Sequence, residues 1–388
     1  MNDTFLKRVK LFEVFAGIGS QYKALKNISK RQGWIVESVG IVEWFTSAIV
    51  AYQAIHYLNN DIEEQYLNNS ITGISVDSKN KVSQHWLKKL QNNKSELSFW
   101  LNQSKKNNNF FDIKNTNGID IPDDIDIFTY SFPCQDISHQ GKQIGFKKNS
   151  NTRSGLLWEI ERIFLEMQSI NKKLPKYLLL ENVKAIINKK HFNDFNLWLK
   201  KLEKFGYESK YYVLNSADFG SAQNRERVFV ISVLKSHKLD VSFEFPKFNF
   251  KNKNIKNLKD ILELSNINFN SSFNKFFLIK KSLTSNNIQK YELKNYTNFQ
   301  SENFVYDINY SGPTLTASGA MSRIKLYFDD KKIRTMQPKE CFCYMGFNDE
   351  DYKKIKKTNL ISENKMIYLA GNSISIEVLE KIFESFKF

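Results

Sequence analysis

The chain has 388 residues and a formal net charge of +16, from 57 Lys+Arg against 41 Asp+Glu. That length exceeds the needs of one ordinary core, and 41% hydrophobic with 14% aromatic residues excludes wholesale disorder. The positive balance favours a polyanionic partner, although codon usage biased toward Lys and Asn would give the same excess.

An apolar run at 9–15 reads as a short buried strand, followed by a tight turn at 17–19 and a helix over 21–29. A second strand spans 34–42 and a helix 47–58. This βαβ rhythm implies a parallel sheet with helices on its faces, an α/β fold. Residues 59–109 are polar and rich in Asn, Lys and Ser, with weak periodicity except near 86–90 and 97–101. They read as a surface insertion with some helix, carrying no chemistry unless its lysines touch phosphates. Strands are then expected at 125–130, 177–180, 211–214 and 228–233, with helices at 156–166 and 193–205. A shift toward Asn, Lys, Phe and Ser marks a second domain over 234–330. An amphipathic helix over 375–386 ends the chain, with Ile376, Leu379, Ile382 and Phe383 on one face. The expected division is a catalytic domain over 1–233 (59–109 being the insertion), a second domain over 234–330, and a return to the first over 331–388.

The three cysteines (Cys134, Cys341, Cys343) and five scattered histidines lack the spacing of metal ligands or of a disulfide framework, so no metal is expected. No apolar run reaches membrane-spanning length and the first ten residues have no signal-peptide core, which predicts a cytoplasmic protein.

Phe15-Ala16-Gly17-Ile18-Gly19 lies between a strand and a helix. Glycines there let backbone approach a ligand, and the helix start offers N–H groups. The dinucleotide fingerprint needs a third glycine where Tyr22 stands, which weakens a pyrophosphate reading. Glu43 ends the second strand, where a carboxylate can hold ribose hydroxyls, and Trp44 beside it can stack on adenine. The pattern suits a nucleoside ligand without phosphates, such as S-adenosylmethionine. An ordinary strand–turn–helix remains the bland alternative.

Ser131-Phe132-Pro133-Cys134-Gln135 follows another strand end. A lone cysteine is more often a small buried hydrophobe than a nucleophile. Three features reverse that here: Glu181-Asn182-Val183 at a further strand end, Gln223-Asn224-Arg225-Glu226-Arg227 leading into a strand, and Gly371-Asn372-Ser373 before the last helix. Arg225 and Arg227, with one residue between them in an extended segment, are expected to point the same way. The set matches methylation of cytosine at C5. That carbon is too weakly nucleophilic until a thiolate adds to C6. Glu181 would protonate or hydrogen-bond N3, which requires a pKa above the usual ~4.3. Arg227 would stabilise charge at O2.

Taken in order, these motifs resemble the DNA cytosine-5 methyltransferase family over most of the chain. The resemblance implies a Rossmann-like, S-adenosylmethionine-dependent methyltransferase domain with a mainly parallel sheet, plus a smaller mixed target-recognition domain. It implies a cofactor site of Phe15, Ala16, Gly17, Ile18, Gly19, Glu43, Trp44, Asp112 (on the adenine amino group), Ile113, Pro133, Leu156, Asn372 and Ser373, with S-adenosylhomocysteine as product. Catalytic residues would be Cys134, Glu181, Arg227 and Arg225. Arg334 to Phe347 is similar to a structural element of the family but carries Met336, Gln337 and Lys339 where Leu, Thr and Arg are usual. Pro313-Thr314-Leu315-Thr316-Ala317-Ser318-Gly319-Ala320 is similar to the bacterial, mollicute-type CpG-specific members and implies a CG target.

The substrate would be double-stranded DNA, bound by a nucleoid-associated monomer, in the setting of restriction–modification systems. The target base must be flipped out of the duplex. Gln135, Ser138, Gln140 and Lys142 of the loop after the cysteine are expected at DNA, with Ser138, His139 or Gln140 filling the gap. In the second domain Phe299 or Phe304 is a candidate wedge, Thr314 a phosphate contact, and Ser318, Ala320, Ser322, Arg323 and Lys325 further candidates. The rival readings are a transfer-RNA cytosine-5 methyltransferase, against which Lys184-Ala185-Ile186 after Val183 argues, and a catalytically idle DNA-binding protein.

Overall fold

The computed structural model describes residues 6–58, 71–92, 95–133, 137, 145–146, 148, 153–249, 256–264, 269–329 and 332–388. The chain forms two compact units: Met1–Leu214, Glu226–Lys247 and Leu379–Phe388 in the first, Asn215–Arg225 and Phe248–Val378 in the second. The expected limits lie at 233 and 330; the first unit keeps 234–247, and antiparallel pairing of 325–327 with 333–335 carries the second unit past 331.

The first unit runs β1 (Arg8–Val14), α1 (Ser20–Gln32), β2 (Ile35–Val42), α2 (Thr46–Tyr57), α3 (Gln84–Asn92), α4 (Glu96–Lys106), β3 (Ile127–Tyr130), α5 (Leu157–Ser169), β4 (Tyr177–Val183), α6 (Phe192–Lys204), β5 (Tyr207–Asn215), β6 (Glu226–Leu234) and α7 (Lys235–Asp240). Its sheet has the order β2-β1-β3-β4-β6-β5. Pairings β1–β2, β1–β3 and β3–β4 are parallel, and β4–β6 is antiparallel. The carboxyl ends of β1 to β4 therefore share one rim, at which β6 begins. Such a rim is where open α/β sheets bind ligands. The strands are apolar nearly throughout because helices cover both faces; Phe12 stacks on Phe128 at 5.4 Å inside the core.

Glu13 is the exception within β1, fully buried. The Tyr52 hydroxyl donates to its Oε2 at 2.6 Å and the Tyr22 N–H to its Oε1 at 3.3 Å, tying the start of α1 to the strand beneath it. Burial pushes its pKa up to about 7, against the Tyr52 hydrogen bond, which lowers it. The folded state thus holds a proton that the unfolded chain releases above ~4.5, so this group's contribution to stability falls as pH rises from there to about 7. Glu13→Gln should leave stability near pH 5 unchanged and raise it at pH 8 by about 1–3 kcal/mol in denaturant titrations; a variant no more stable at pH 8 would show that Glu13 carries no such strain.

The polar insertion is not a bare surface excursion. Ile71, Ile74, Leu87, Leu90, Leu101 and Phe111 form a small core with Ile49 of α2. Covered on both sides, α2 buries every residue from Ala48 to Ile55.

The second unit holds β7 (Leu278–Lys280), β8 (Lys290–Leu293), β9 (Phe304–Asp307), β10 (Lys325–Tyr327), β11 (Ile333–Thr335), α8 (Pro338–Cys343), α9 (Asp349–Lys357) and α10 (Glu363–Asn372). The limit between the units falls within α11 (Ile376–Phe383). The mixed sheet has the order β11-β10-β9-β8-β7, with β9–β10 parallel and β10–β11 antiparallel. The β10–β11 ladder takes the chain beyond 331 into this unit, which composition does not reveal. Arg334 and Glu340 form a buried bidentate pair (2.7 and 2.6 Å) joining β11 to α8, a structural role for this element. Among the described residues no helix is long and apolar enough to cross a membrane.

Candidate active site

The turn after β1 is held by Val42, whose carbonyl accepts from the N–H groups of Phe15 (2.9 Å) and Ala16 (3.3 Å). Phe15, Gly17 and Gly19 have φ of 58°, 57° and 77°. Left-handed backbone costs Gly little, so two of the three positions are filled by the residue that suits them. A side chain at Gly19 would also collide with His56 and Tyr52. Ile18 is buried beneath the turn.

Glu43 stands at the end of β2. Its Oε2 accepts from Gly17 N–H and its Oε1 from Phe45 N–H, both at 2.8 Å. Asn109 fixes the backbone of Glu43 from both sides: its Oδ1 accepts from Glu43 N–H (3.1 Å) and its Nδ2 donates to the Glu43 carbonyl (3.0 Å). Sequence reasoning placed Asn109 in the inert insertion; its only signal was adjacency to Phe110-Phe111-Asp112. Burial pushes Glu43 up to about 7, against the N–H groups of Phe45 and Gly17.

Residues 108–110 run beside β2 through Ile41 and deliver Asp112 and Ile113, both buried, to the same rim. Asp112 Oδ1 accepts from Lys114 N–H at 3.1 Å. Its Oδ2 is buried and receives no directed hydrogen bond, although the Lys81 ammonium forms an ion pair with it. These groups fit a nucleoside-bearing cofactor: a glycine turn, a carboxylate for ribose hydroxyls, and a buried carboxylate whose Oδ2, paired with the Lys81 ammonium, has a second lone pair for an exocyclic amine. Trp44 stands next to Glu43 at this rim, half-buried.

On the neighbouring strand ends, Glu181 is buried and Arg227 Nε lies 3.2 Å from its Oε1. The antiparallel ladder that pairs Val183 with Arg227 brings the two together. The Asn182 amide donates to the Phe132 carbonyl at 3.1 Å and the Ser154 hydroxyl to the Pro133 carbonyl at 2.6 Å. Backbone leading to the nucleophile candidate is thus tied to β4 on one side and to the start of α5 on the other. Leu156, half-buried on the main core, stands in that same segment before α5. Cys134, Gln135, Ser138, His139, Gln140 and Lys142 lie outside the described residues.

Other expected site residues lie in the second unit. Arg225 does not accompany Arg227. It is buried and donates to the carbonyls of Leu315 (2.8 Å), Gly371 (3.3 Å) and Ser373 (3.1 Å). Those bonds assemble the 313–320 segment and the end of α10, with Asn372 exposed and Ser373 capping through its hydroxyl on the Ala370 carbonyl (2.6 Å). The Thr314 hydroxyl donates to the Asn224 carbonyl at 2.6 Å. Ser318 and Arg323 are exposed, Ala320 and Ser322 half-buried; Arg323 pairs with Glu302 (3.3 Å), and Lys325 is buried with its ammonium on the Glu302 carbonyl (2.7 Å). Phe299 is 73% exposed, whereas Phe304 is partly buried with Lys290 over its ring.

A mainly parallel sheet whose strand ends carry a glycine turn and buried carboxylates defines the class as an open α/β fold with a rim that fits a nucleoside. Comparison with known proteins is narrower. The C-5 cytosine-specific DNA methylase family matches residues 70–387. The orphan methyltransferase M.SssI of Spiroplasma monobiae is 43% identical over 97% of each chain. The Type II methyltransferase M2.ScrFI of Lactococcus lactis subsp. cremoris is 35% identical over 97% of this chain and 98% of its own. Among solved structures, the S. pombe Dnmt2 methyltransferase superposes with a TM-score of 0.60 at 17% identity, covering 98% of this chain and 100% of that one, a likeness of fold. The chain belongs to the C-5 cytosine-specific DNA methylase family and is an S-adenosylmethionine-dependent methyltransferase.

Proposed function

We propose that the protein methylates cytosine at C5 in CG sequences of duplex DNA, acting as a monomer, with Cys134 as nucleophile. The observation that carries this reading is the Glu181–Arg227 pair at 3.2 Å, at the strand end whose Asn182 holds the backbone just before Cys134. The Cys134 thiolate adds to C6 of the flipped base, leaving C5 enamine-like. Glu181, in its protonated form, would donate to N3 and Arg227 to O2, so charge that develops on the ring meets a donor at each atom. When bound, S-adenosylmethionine supplies an electrophilic methyl group on its sulfonium. C5 would accept that methyl with S-adenosylhomocysteine as the leaving group; loss of the C5 proton to solvent then returns its electron pair to the ring and expels the Cys134 thiolate from C6. Gly17, Glu43 and Asp112 would hold the cofactor's nucleoside end, and Arg225 acts by holding the 313–320 segment to the end of α10. Gln135, Ser138, Gln140 and Lys142 attend the DNA during flipping, and Thr314, Ser318, Ala320, Ser322 and Arg323 with exposed Phe299 serve as target contacts. The CG specificity rests on the resemblance of residues 313–320 to CpG-specific enzymes.

Radiolabelled methyl transfer tests the substrate: duplexes containing CG should take label, and CG-free duplexes and transfer RNA should not. Label on transfer RNA alone would sink the reading.

Cofactor affinity should depend on pH through Glu43. Ribose hydroxyls donate to the ionised carboxylate, so below pH 7 binding must first remove a proton. Calorimetry should find S-adenosylhomocysteine bound about tenfold more weakly at pH 6 than at pH 8, a dependence lost in Glu43→Gln. An equal slope in that variant would assign the effect to another group.

A further inference from the structure

The segment 73–82 of the insertion is built into the cofactor rim. Ser75 N–H donates to the Trp44 carbonyl and Thr46 N–H to the Ser75 carbonyl, each at 2.8 Å, and Val82 N–H closes the loop on the Ile74 carbonyl at 2.9 Å. Asp77 organises its interior, accepting from the N–H groups of Lys79 (2.7 Å) and Asn80 (2.8 Å) and from the Ser75 hydroxyl (3.0 Å). Gly73, at φ 75°, lies so close to Asp112 that a Cβ there would sit 2.8 Å from the Asp112 Cβ. The loop ends by placing the half-exposed Lys81 against Asp112, whose side chain is 7% exposed. Burying a carboxylate without a counter-charge is costly, and Lys81 provides one.

We propose that Lys81 is a positioning residue of the cofactor site: its ammonium neutralises Asp112 from one side of Oδ2 and, with the Lys114 N–H on Oδ1, fixes the carboxylate so that the other lone pair of Oδ2 meets the 6-amino group of a purine. The inference rests on the reading of Asp112 as the adenine-amino ligand. A site of this kind is selective. A 6-amino purine donates to the carboxylate, while a 6-oxo purine presents an acceptor to it and is rejected.

The test is calorimetric binding of S-adenosylhomocysteine and S-inosylhomocysteine to the full chain without DNA. The parent should prefer the adenosyl compound by about 100-fold. Lys81→Met, which keeps the stem and removes the charge, should cut that preference at least tenfold by weakening the adenosyl compound alone, and Lys81→Arg should restore it. Equal weakening of both compounds in Lys81→Met would mean a mere brace for the loop and would overturn the proposal. So would an unchanged preference in Lys81→Met when Asp112→Ala has lost it. A preference that survives Asp112→Ala overturns instead the reading of Asp112 on which the proposal stands.

Discussion

Cys134→Ala is expected to lower methyl transfer by about 10⁴-fold or more while leaving duplex binding within a few-fold of the parent. The size of the effect follows from the chemistry. C5 of cytosine does not attack a methyl group at a useful rate until a bond forms at C6, and no other cysteine serves: Cys341 is buried and burial pushes its thiol far up, and Cys343 is raised for the same reason. DNA affinity, by contrast, comes mainly from phosphate contacts that the thiol does not make. A duplex with 5-fluorocytosine in a CG site should trap the parent as a denaturation-resistant adduct, because fluorine at C5 cannot leave as the proton does. Adduct formation by Cys134→Ala would place the nucleophile elsewhere.

The second large effect is expected at Glu181. Glu181→Gln should reduce kcat by about 10²–10³-fold with little change in DNA affinity, since the carboxyl acts on N3 as C6 is attacked. Gln keeps the shape and one acceptor but supplies no acid. Its partner makes a further distinction possible. Arg227 is tied to Glu181 at 3.2 Å and, through Nη1, to the Glu226 carbonyl at 2.8 Å, so truncating it would also disturb the strand start. A drop in affinity equal to the drop in kcat for Glu181→Gln would mark Glu181 as a base-binding residue only.

Much of the first unit was legible because its parallel strands are buried on both faces and appear as apolar runs. β4 is longer than the run that announces it. Its last residues, Glu181, Asn182 and Val183, are held in the sheet by antiparallel pairing with Phe229, Val228 and Arg227, a contact between segments far apart in sequence. The insertion looked inert because its apolar residues are widely spaced among Lys and Asn; they form a core only with Ile49 and Phe111. Glu13 and Asn109, both buried and polar, carry no periodic signal, and their roles depend on partners 39 and 66 residues away. Arg225 and Arg227 illustrate the limit of local geometry. Two residues apart, they hold different groups, one the carbonyls near α10 and the other a carboxylate on β4. The limits of the second unit were missed because strands of three or four residues leave little trace in composition.

The central claim, a Cys134-dependent cytosine C5 methyltransferase acting at CG, is tested most directly by bisulfite sequencing. Unmethylated duplex DNA incubated with the protein and S-adenosylmethionine should show protected cytosines at CG sites and unprotected cytosines elsewhere. Full conversion at every cytosine, CG sites included, would contradict the account.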